Sequence, residues 1–263
     1  MVGRMRSSGV QPNVHTYTRL ISAHLKSGSA VPLQKVISMM QEDGVHRNDY
    51  AYNACMHYYC SQSRMDLAES VFAQMQQEGV QPTVATFNIL LDGYQQTHNT
   101  AGIERMLTLL LKERQGGDKY TLGLLVRFYR DRGNIARAES VMNEFAVRFN
   151  VVPGVVVFNT LAAGWAERGD VTKVREIMER MRSLHLAPDV YTYTSLLTAH
   201  ARHGDFRGAE NTLQVMASEK ILPTTYTYNA LLMAYCSVPN PEQAINLVQR
   251  MRAANTPPDV YSH

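Results

Sequence analysis

The chain has 263 residues, 45% of them hydrophobic and 19% charged, with a formal net charge of +3 at pH 7. This is the composition of a soluble, folded protein, and the small positive charge permits nucleic-acid binding without announcing it. Three cysteines, Cys55, Cys60 and Cys236, are too few for a disulfide framework, and no apolar run approaches the ~20 residues of a membrane span.

In chain order, residues 1–13 carry Arg4 and Arg6 but no apolar core of the kind a signal peptide needs. They read as the tail of a repeat. Seven self-similar units follow, at 14–48, 49–83, 84–118, 119–154, 155–189, 190–224 and 225–259. Six have 35 residues, the fourth is one residue longer near Phe149, and 260–263 opens another unit. A fixed period in this range marks a repeat architecture. A cut repeat at each end makes the chain read as a fragment of a longer protein.

The sixth unit shows the logic. Tyr193, Leu196, Leu197 and His200 form one apolar stripe, which predicts a helix from Val190 to Arg202. Gly204 interrupts it. Ala209, Leu213 and Met216 give a second stripe from Phe206 to Ser218, and Pro223 bars its continuation. Two short helices cannot bury both stripes alone, whereas stacking on the next pair does, so an all-α solenoid follows.

Numbering positions from the start of each unit, position 4 is Tyr17, Tyr52, Phe87, Leu122, Phe158, Tyr193 and Tyr228. Position 27 is Met40, Met75, Leu110, Phe145, Met181, Met216 and Met251. Position 11 is aromatic or His, from His24 to Tyr235, and position 20 is often Ala, where two helices approach closely. Burial of a Met side chain stabilises by ~1.5–3 kcal/mol, so packing accounts for the methionines. Position 31 holds Gly44, Gly79 and Asn255, types that tolerate the left-handed turn closing a helix.

The starts Val84-Ala-Thr-Phe-Asn88, Val155-Val-Val-Phe-Asn159 and Thr225-Tyr-Thr-Tyr-Asn229 recur, with a mid-unit Gly204-Asp205 and Ala209, and a close running from Met75 to Pro82. This pattern resembles the pentatricopeptide repeat family over essentially the whole chain. Tetratricopeptide repeats are the near alternative, but their Trp-Leu-Gly-Tyr pattern is missing. The resemblance implies a right-handed superhelical α-solenoid of helix-turn-helix repeats whose first helices line a concave groove. Departures are local: Arg114 to Asp118 lacks the closing Gly and Pro, Gly123 and Gly154 stand where side chains are expected, and Pro239 and Pro241 lie in an inter-helix turn.

Position 5 breaks the apolar rule: Thr18, Asn53, Asn88, Gly123, Asn159, Thr194 and Asn229. Such residues brace a first turn, or they present an amide or hydroxyl to the edge of a nucleobase. Position 35 is Asn48, Thr83, Asp118, Gly154, Asp189, Thr224 and Asp259, a set suited to capping the next helix. Pentatricopeptide repeats as a class are known to read one base per repeat with a few side chains, and the resemblance gives that task to positions 5 and 35. Position 2, including Tyr50, Tyr120, Val156, Tyr191 and Tyr226, would by the same resemblance sandwich the bases. It lies three residues before position 5, on the same helix face. Position 13 would meet phosphate, yet only Lys26 and Arg202 are cationic there.

No H-E-x-x-H, P-loop or paired C-x-x-C occurs, and His200 with His203 makes a poor metal pair, so no catalytic residue, metal or cofactor is expected. The sequence therefore points to sequence-specific binding of single-stranded RNA in organellar transcript processing, stabilisation or translation, with neither membrane nor small-molecule substrate involved. The family implies a mitochondrion or plastid. Two alternatives stay open: a protein-binding scaffold, for example in an organellar ribosome, and the RNA-binding part of an enzyme whose catalytic domain lies beyond His263. By resemblance, Asn with Asp reads uracil, Thr18 with Asn48 adenine, Asn53 with Thr83 a pyrimidine, and Thr194 with Thr224 a purine.

Overall fold

A computed structural model describes residues 2–27, 33–112, 116–236 and 241–253, and all regular structure among them is α-helical. The chain divides into two compact units, Met1–Leu124 and Leu125–His263. The first holds α1 (Val2–Ser7), α2 (Val14–Ser27), α3 (Leu33–Glu42), α4 (Asp49–Ser61), α5 (Met65–Gln77), α6 (Val84–Gln96) and α7 (Thr100–Lys112). The division falls within α8 (Lys119–Asp131). The second holds α9 (Ile135–Phe149), α10 (Val155–Ala166), α11 (Val171–Ser183), α12 (Val190–His203), α13 (Phe206–Ser218), α14 (Thr225–Cys236) and α15 (Pro241–Ala253).

Within each unit the packing is sequential. In the first, α4 packs on its partner α5 and also on the first helices before and after it, α2 and α6. In the second, α12 packs on α13 and on its flanking first helices, α10 and α14. The apolar stripes meet there. Position 27 is fully buried in every repeat, from Met40 and Met75 through Met181 to Met251, and Tyr17, Tyr52, Phe158 and Tyr193 are buried at position 4. Ala68, Ala138 and Ala209 lie fully buried on the second helices of their repeats. Trp165 departs from its aromatic column in being only half-buried.

Polar side chains set where helices start. Asn99, Asn134, Asp170 and Asp205 each accept the backbone N–H three residues on, opening α7, α9, α11 and α13. Each such cap contributes ~0.5–2 kcal/mol. The ends are equally local. Gly44 and Gly79 take φ of 64° and 73°, and the next residue donates its N–H to the carbonyl of Met40 or Met75. The same left-handed turn is made by His185 (φ 57°) and Lys220 (φ 60°), which lack glycine's freedom. The extra length of the fourth repeat appears as a longer α9, ending in Asn150 at φ 52°. Pro241 is the first residue of α15, where its missing N–H costs no helical bond, while Pro239 and Asn255 lie outside the described residues.

Adjacent repeats are also latched by ions. The hydroxyl of Tyr17 donates to Asp43 at 2.5 Å while Arg6 holds the same carboxylate. Tyr193, Glu219 and Arg182 repeat that arrangement, and Tyr94, Glu69 and Arg105 build a second version farther along the first helices. Burial, then hydrogen bonding to Glu219, pushes the Tyr193 phenol up to about 12, so it stays a donor. Among the described residues no helix is long and apolar enough to cross a membrane.

Candidate nucleic-acid interface

With position 4 buried, the geometry of a helix turns position 2 outward. Tyr191 and Tyr226 are each 67% exposed, Val156 is 77% exposed, and Tyr50 and Tyr120 are exposed by more than half. Large side chains that bare are not part of the core. In the second unit, Val156, Asn159, Tyr191, Ser195 and Tyr226 line a hollow of about 390 Å³. In the first unit, Ala85, Asn88, Asp92 and Tyr120 line its counterpart of about 300 Å³. The two hollows use the same positions of different repeats, so the periodic sequence has produced a periodic surface.

Asn159 and Asn88, at position 5, lie on the walls of these hollows, and position 35 meets position 5 behind them. The Asn159 amide Nδ2 lies 3.0 Å from both oxygens of Asp189. Asp189 also caps α12, its Oδ1 accepting the N–H of Tyr191 at 3.0 Å and of Thr192 at 3.1 Å. Capping and pairing with position 5 are therefore joint roles of one carboxylate. Asn53 and Thr83 make a looser pair at 3.5 Å. At Asp118, burial pulls the carboxyl up, but the N–H and hydroxyl of Thr121 and the Asn88 amide outweigh it and hold the pKa below the usual carboxylate value. Asp118 is thus an anion at neutral pH.

A residue type missed by sequence reasoning completes this wall. The threonine at position 3 of the following repeat donates its hydroxyl to the position-5 side chain. Thr86 reaches Asn53 Oδ1 at 2.7 Å, and Thr121 and Thr192 reach Asn88 and Asn159 Oδ1 at 2.6 Å each. Thr86, Thr121, Thr192 and Thr227 are fully buried. The signal was in the sequence, as a polar residue recurring one place before the core aromatic.

With Oδ1 of Asn159 tied to Thr192, the pair presents one amide N–H beside the carboxylate Oδ2 that the same amide contacts at 3.0 Å. A donor next to an acceptor complements an edge bearing an acceptor next to a donor. Uracil offers this with O4 and N3–H, and guanine with O6 and N1–H.

Other expected residues fall elsewhere. Thr18 and Thr194 are buried, at 4% and 2% exposure, and their hydroxyls donate to the carbonyls of His15 and Val190 in their own helices. Short side chains that bond back to the helix reach less far than asparagine. Asn48 caps α4 through Ala51 N–H at 3.0 Å, and Thr224 contacts Thr227 at 3.1 Å. Asn229 is half-buried and Arg202 exposed, while Asp259 and the side chain of Lys26 lie outside the described residues. A Cβ added at Gly123 or Gly154 would meet nothing within 4 Å. Arg130 borders the larger hollow, but it is held by Asp131 at 2.5 Å.

These features define a helical-repeat protein with a periodic surface. Residues 47–96, 153–202 and 223–263 match the PPR repeat family, and residues 1–62 and 183–238 match the pentatricopeptide repeat domain. The chain belongs to the PPR repeat family. It is similar to the pentatricopeptide repeat protein PPR10 from maize, at 21% identity and a TM-score of 0.62, over 99% of this chain and 42% of that one. A structure of PPR10 in complex with an 18-nt psaJ RNA element aligns at 22% identity and a TM-score of 0.58, over 99% of this chain and 43% of that one. Nuclear proteinaceous RNase P 2 (PRORP2) from A. thaliana aligns at 14% identity and a TM-score of 0.61, over 78% of this chain and 47% of that one. This chain thus spans less than half the length of each of these proteins. A comparison with curated proteins gives no match.

Proposed function

We propose that the chain binds single-stranded RNA in a sequence-specific way, one nucleotide per repeat, and carries out no chemistry on it. One observation carries this reading: in each unit a clamped position-5 asparagine lines a hollow together with an exposed position-2 side chain. Bases would stack on Tyr50, Tyr120, Val156, Tyr191 and Tyr226 while their edges meet positions 5 and 35. The RNA-bound PPR10 relative supports the reading, because its fold extends over 99% of this chain. The target core reads 5′-A-Y-U-N-U-R-U-3′ along the chain, one nucleotide for each unit from 14–48 to 225–259. Uracil faces Asn88 with Asp118, Asn159 with Asp189, and Asn229 with Asp259. Thr18 and Thr194 specify more weakly, since their hydroxyls already serve their own helices. Lys26 and Arg202 supply few phosphate contacts, so affinity falls only gently with salt.

Such binding would mask, expose or stabilise a transcript segment, and an organellar home rests on the family alone. The Arabidopsis relative is a nuclear protein-only RNase P by its name, so a catalytic region joined to these repeats is the second reading. Acidic Asp131 and Glu167 near the larger hollow favour a third, a protein-binding scaffold. Selection from a random RNA pool separates the cases. Enrichment of uracil at the three Asn–Asp nucleotides is expected, and a pool returned without enrichment there removes the RNA reading.

A further inference from the structure

We propose that the position-3 threonine of each following repeat is a positioning residue for base recognition: its hydroxyl fixes which way the position-5 asparagine points. The proposal rests on the RNA reading above and adds a third residue to it, one that touches no base. An asparagine amide has two orientations that exchange Oδ1 and Nδ2, and these offer opposite hydrogen-bonding characters to a ligand. Something must choose between them.

The threonine hydroxyl makes that choice from a fully buried site. Its oxygen accepts the backbone N–H of position 35, at 3.0 Å for Thr83 to Thr86, 3.2 Å for Asp118 to Thr121 and 3.1 Å for Asp189 to Thr192. Its one hydrogen has the position-5 oxygen as its nearest acceptor, at 2.6–2.7 Å in all three repeats, with the position-35 Oδ1 farther off at 2.8 Å for Asp118 and 3.1 Å for Asp189. Asn159 is held from both sides, since the flipped amide would set Oδ1 against the Asp189 carboxylate as well. The same direction holds where position 5 is threonine. Thr194 gives its hydrogen to the Val190 carbonyl, so across the 2.8 Å contact Thr227 is the donor.

The exceptions fit. Ala51 replaces this threonine after the first full repeat, where position 5 is Thr18, whose hydroxyl is already fixed on the His15 carbonyl at 3.1 Å as Thr194 is on Val190, and which has no amide to orient. Val157 replaces it after the repeat whose position 5 is Gly123, which has no side chain to hold. Val157 is itself buried at 5% exposure, so the position accepts an isosteric apolar residue.

Thr192→Val removes the hydroxyl at nearly constant volume, and with it both the Asn159 contact and the acceptor for the Asp189 N–H, and Thr192→Ser restores both. The full chain is titrated with 5′-ACUAUAU-3′ and with its counterpart bearing C at the fifth nucleotide, at one salt concentration, with thermal melts alongside. Wild type should prefer U. Thr192→Val should lose roughly 5–10-fold of that preference, the scale of one hydrogen bond, and Thr192→Ser should keep it. Wild type without a preference at that nucleotide would defeat the RNA reading itself. A wild-type preference that survives in Thr192→Val, or that is lost equally in Thr192→Ser, would overturn this inference alone. Hydrogen exchange at the Asn159 side-chain amide supplies a reading without RNA, with faster exchange expected in Thr192→Val and an unchanged rate counting against the proposal. Should Thr192→Val not fold, Thr86→Val asks the same of Asn53 at the second nucleotide.

Discussion

Asp189→Asn separates the two roles of one side chain. The carboxylate caps α12 through the N–H of Tyr191 and Thr192, and it receives the Asn159 amide. Asparagine caps a helix about as well as aspartate, so the cap survives with a stability change of only a few tenths of a kcal/mol. The groove-facing edge changes completely. Where Asp189 Oδ2 accepts, the new side chain turns an NH2 outward, and the site loses its acceptor for uracil N3–H. Cytosine carries an acceptor at N3, so it gains where uracil loses. A matched contact of this type is worth ~1–3 kcal/mol of discrimination, or roughly 5–150-fold in relative affinity. Fluorescence anisotropy with U or C at the fifth nucleotide, at fixed salt, should show preference moving from U towards C while the other nucleotides keep theirs. A thermal melt guards against a folding defect. A folded variant with an unaltered U-to-C ratio would show that Asp189 caps a helix and reads nothing.

Tyr191→Ala should weaken binding of the matched RNA by ~1–3 kcal/mol without altering which base is preferred, as titrations against the same RNA set would reveal. Lys220→Gly should stabilise the fold by ~1 kcal/mol, because a left-handed φ costs a side chain about that much, and a melt showing no rise would count against strain at that turn. Gly102→Ala should destabilise by ~1–3 kcal/mol, since a Cβ there would sit 2.3 Å from the Tyr94 ring. For His200, desolvation lowers the pKa below 6.5 more than Asp205 raises it, with Arg175 and His203 pushing the same way as burial. The unfolded chain then binds the extra proton, so stability is complete above pH 6.5 and declines as the pH falls below it; the Asp205 carboxyl, also depressed, acts in the same direction. His200→Gln should flatten the upper part of that decline in pH-dependent melts.

Much of the fold was legible because it repeats. First helices begin at Val14, Asp49, Val84, Lys119, Val155, Val190 and Thr225, each at the start of a unit read from the sequence, and the position-27 residues are buried as their spacing requires. What stayed hidden depends on contacts between repeats. The threonines at position 3 were given no part in the reading of the sequence, and their contact with position 5 exists only where the preceding helix lies alongside. Thr18 and Thr194 looked equivalent to asparagine in the same column, yet their shorter side chains settle on their own backbone carbonyls. His185 and Lys220 gave no sign of left-handed turns because neither is a glycine.

The hydroxyl that reaches back from Thr192 to Asn159 has a consequence for anyone who would recombine these repeats. A cassette cut at the first residue of a unit carries its own asparagine but leaves the partner hydroxyl behind in the next cassette. If the repeats read bases as proposed, the portable letter would run from the fifth position of one unit to the third of the next, across a loop and into another helix. Grafting a unit in front of Ala51 would deliver the right amide into a setting with no hydroxyl to greet it. The same graft in front of Thr192 would find its partner waiting. Shuffled arrays should thus be spelled with overlapping syllables, each ending inside its neighbour.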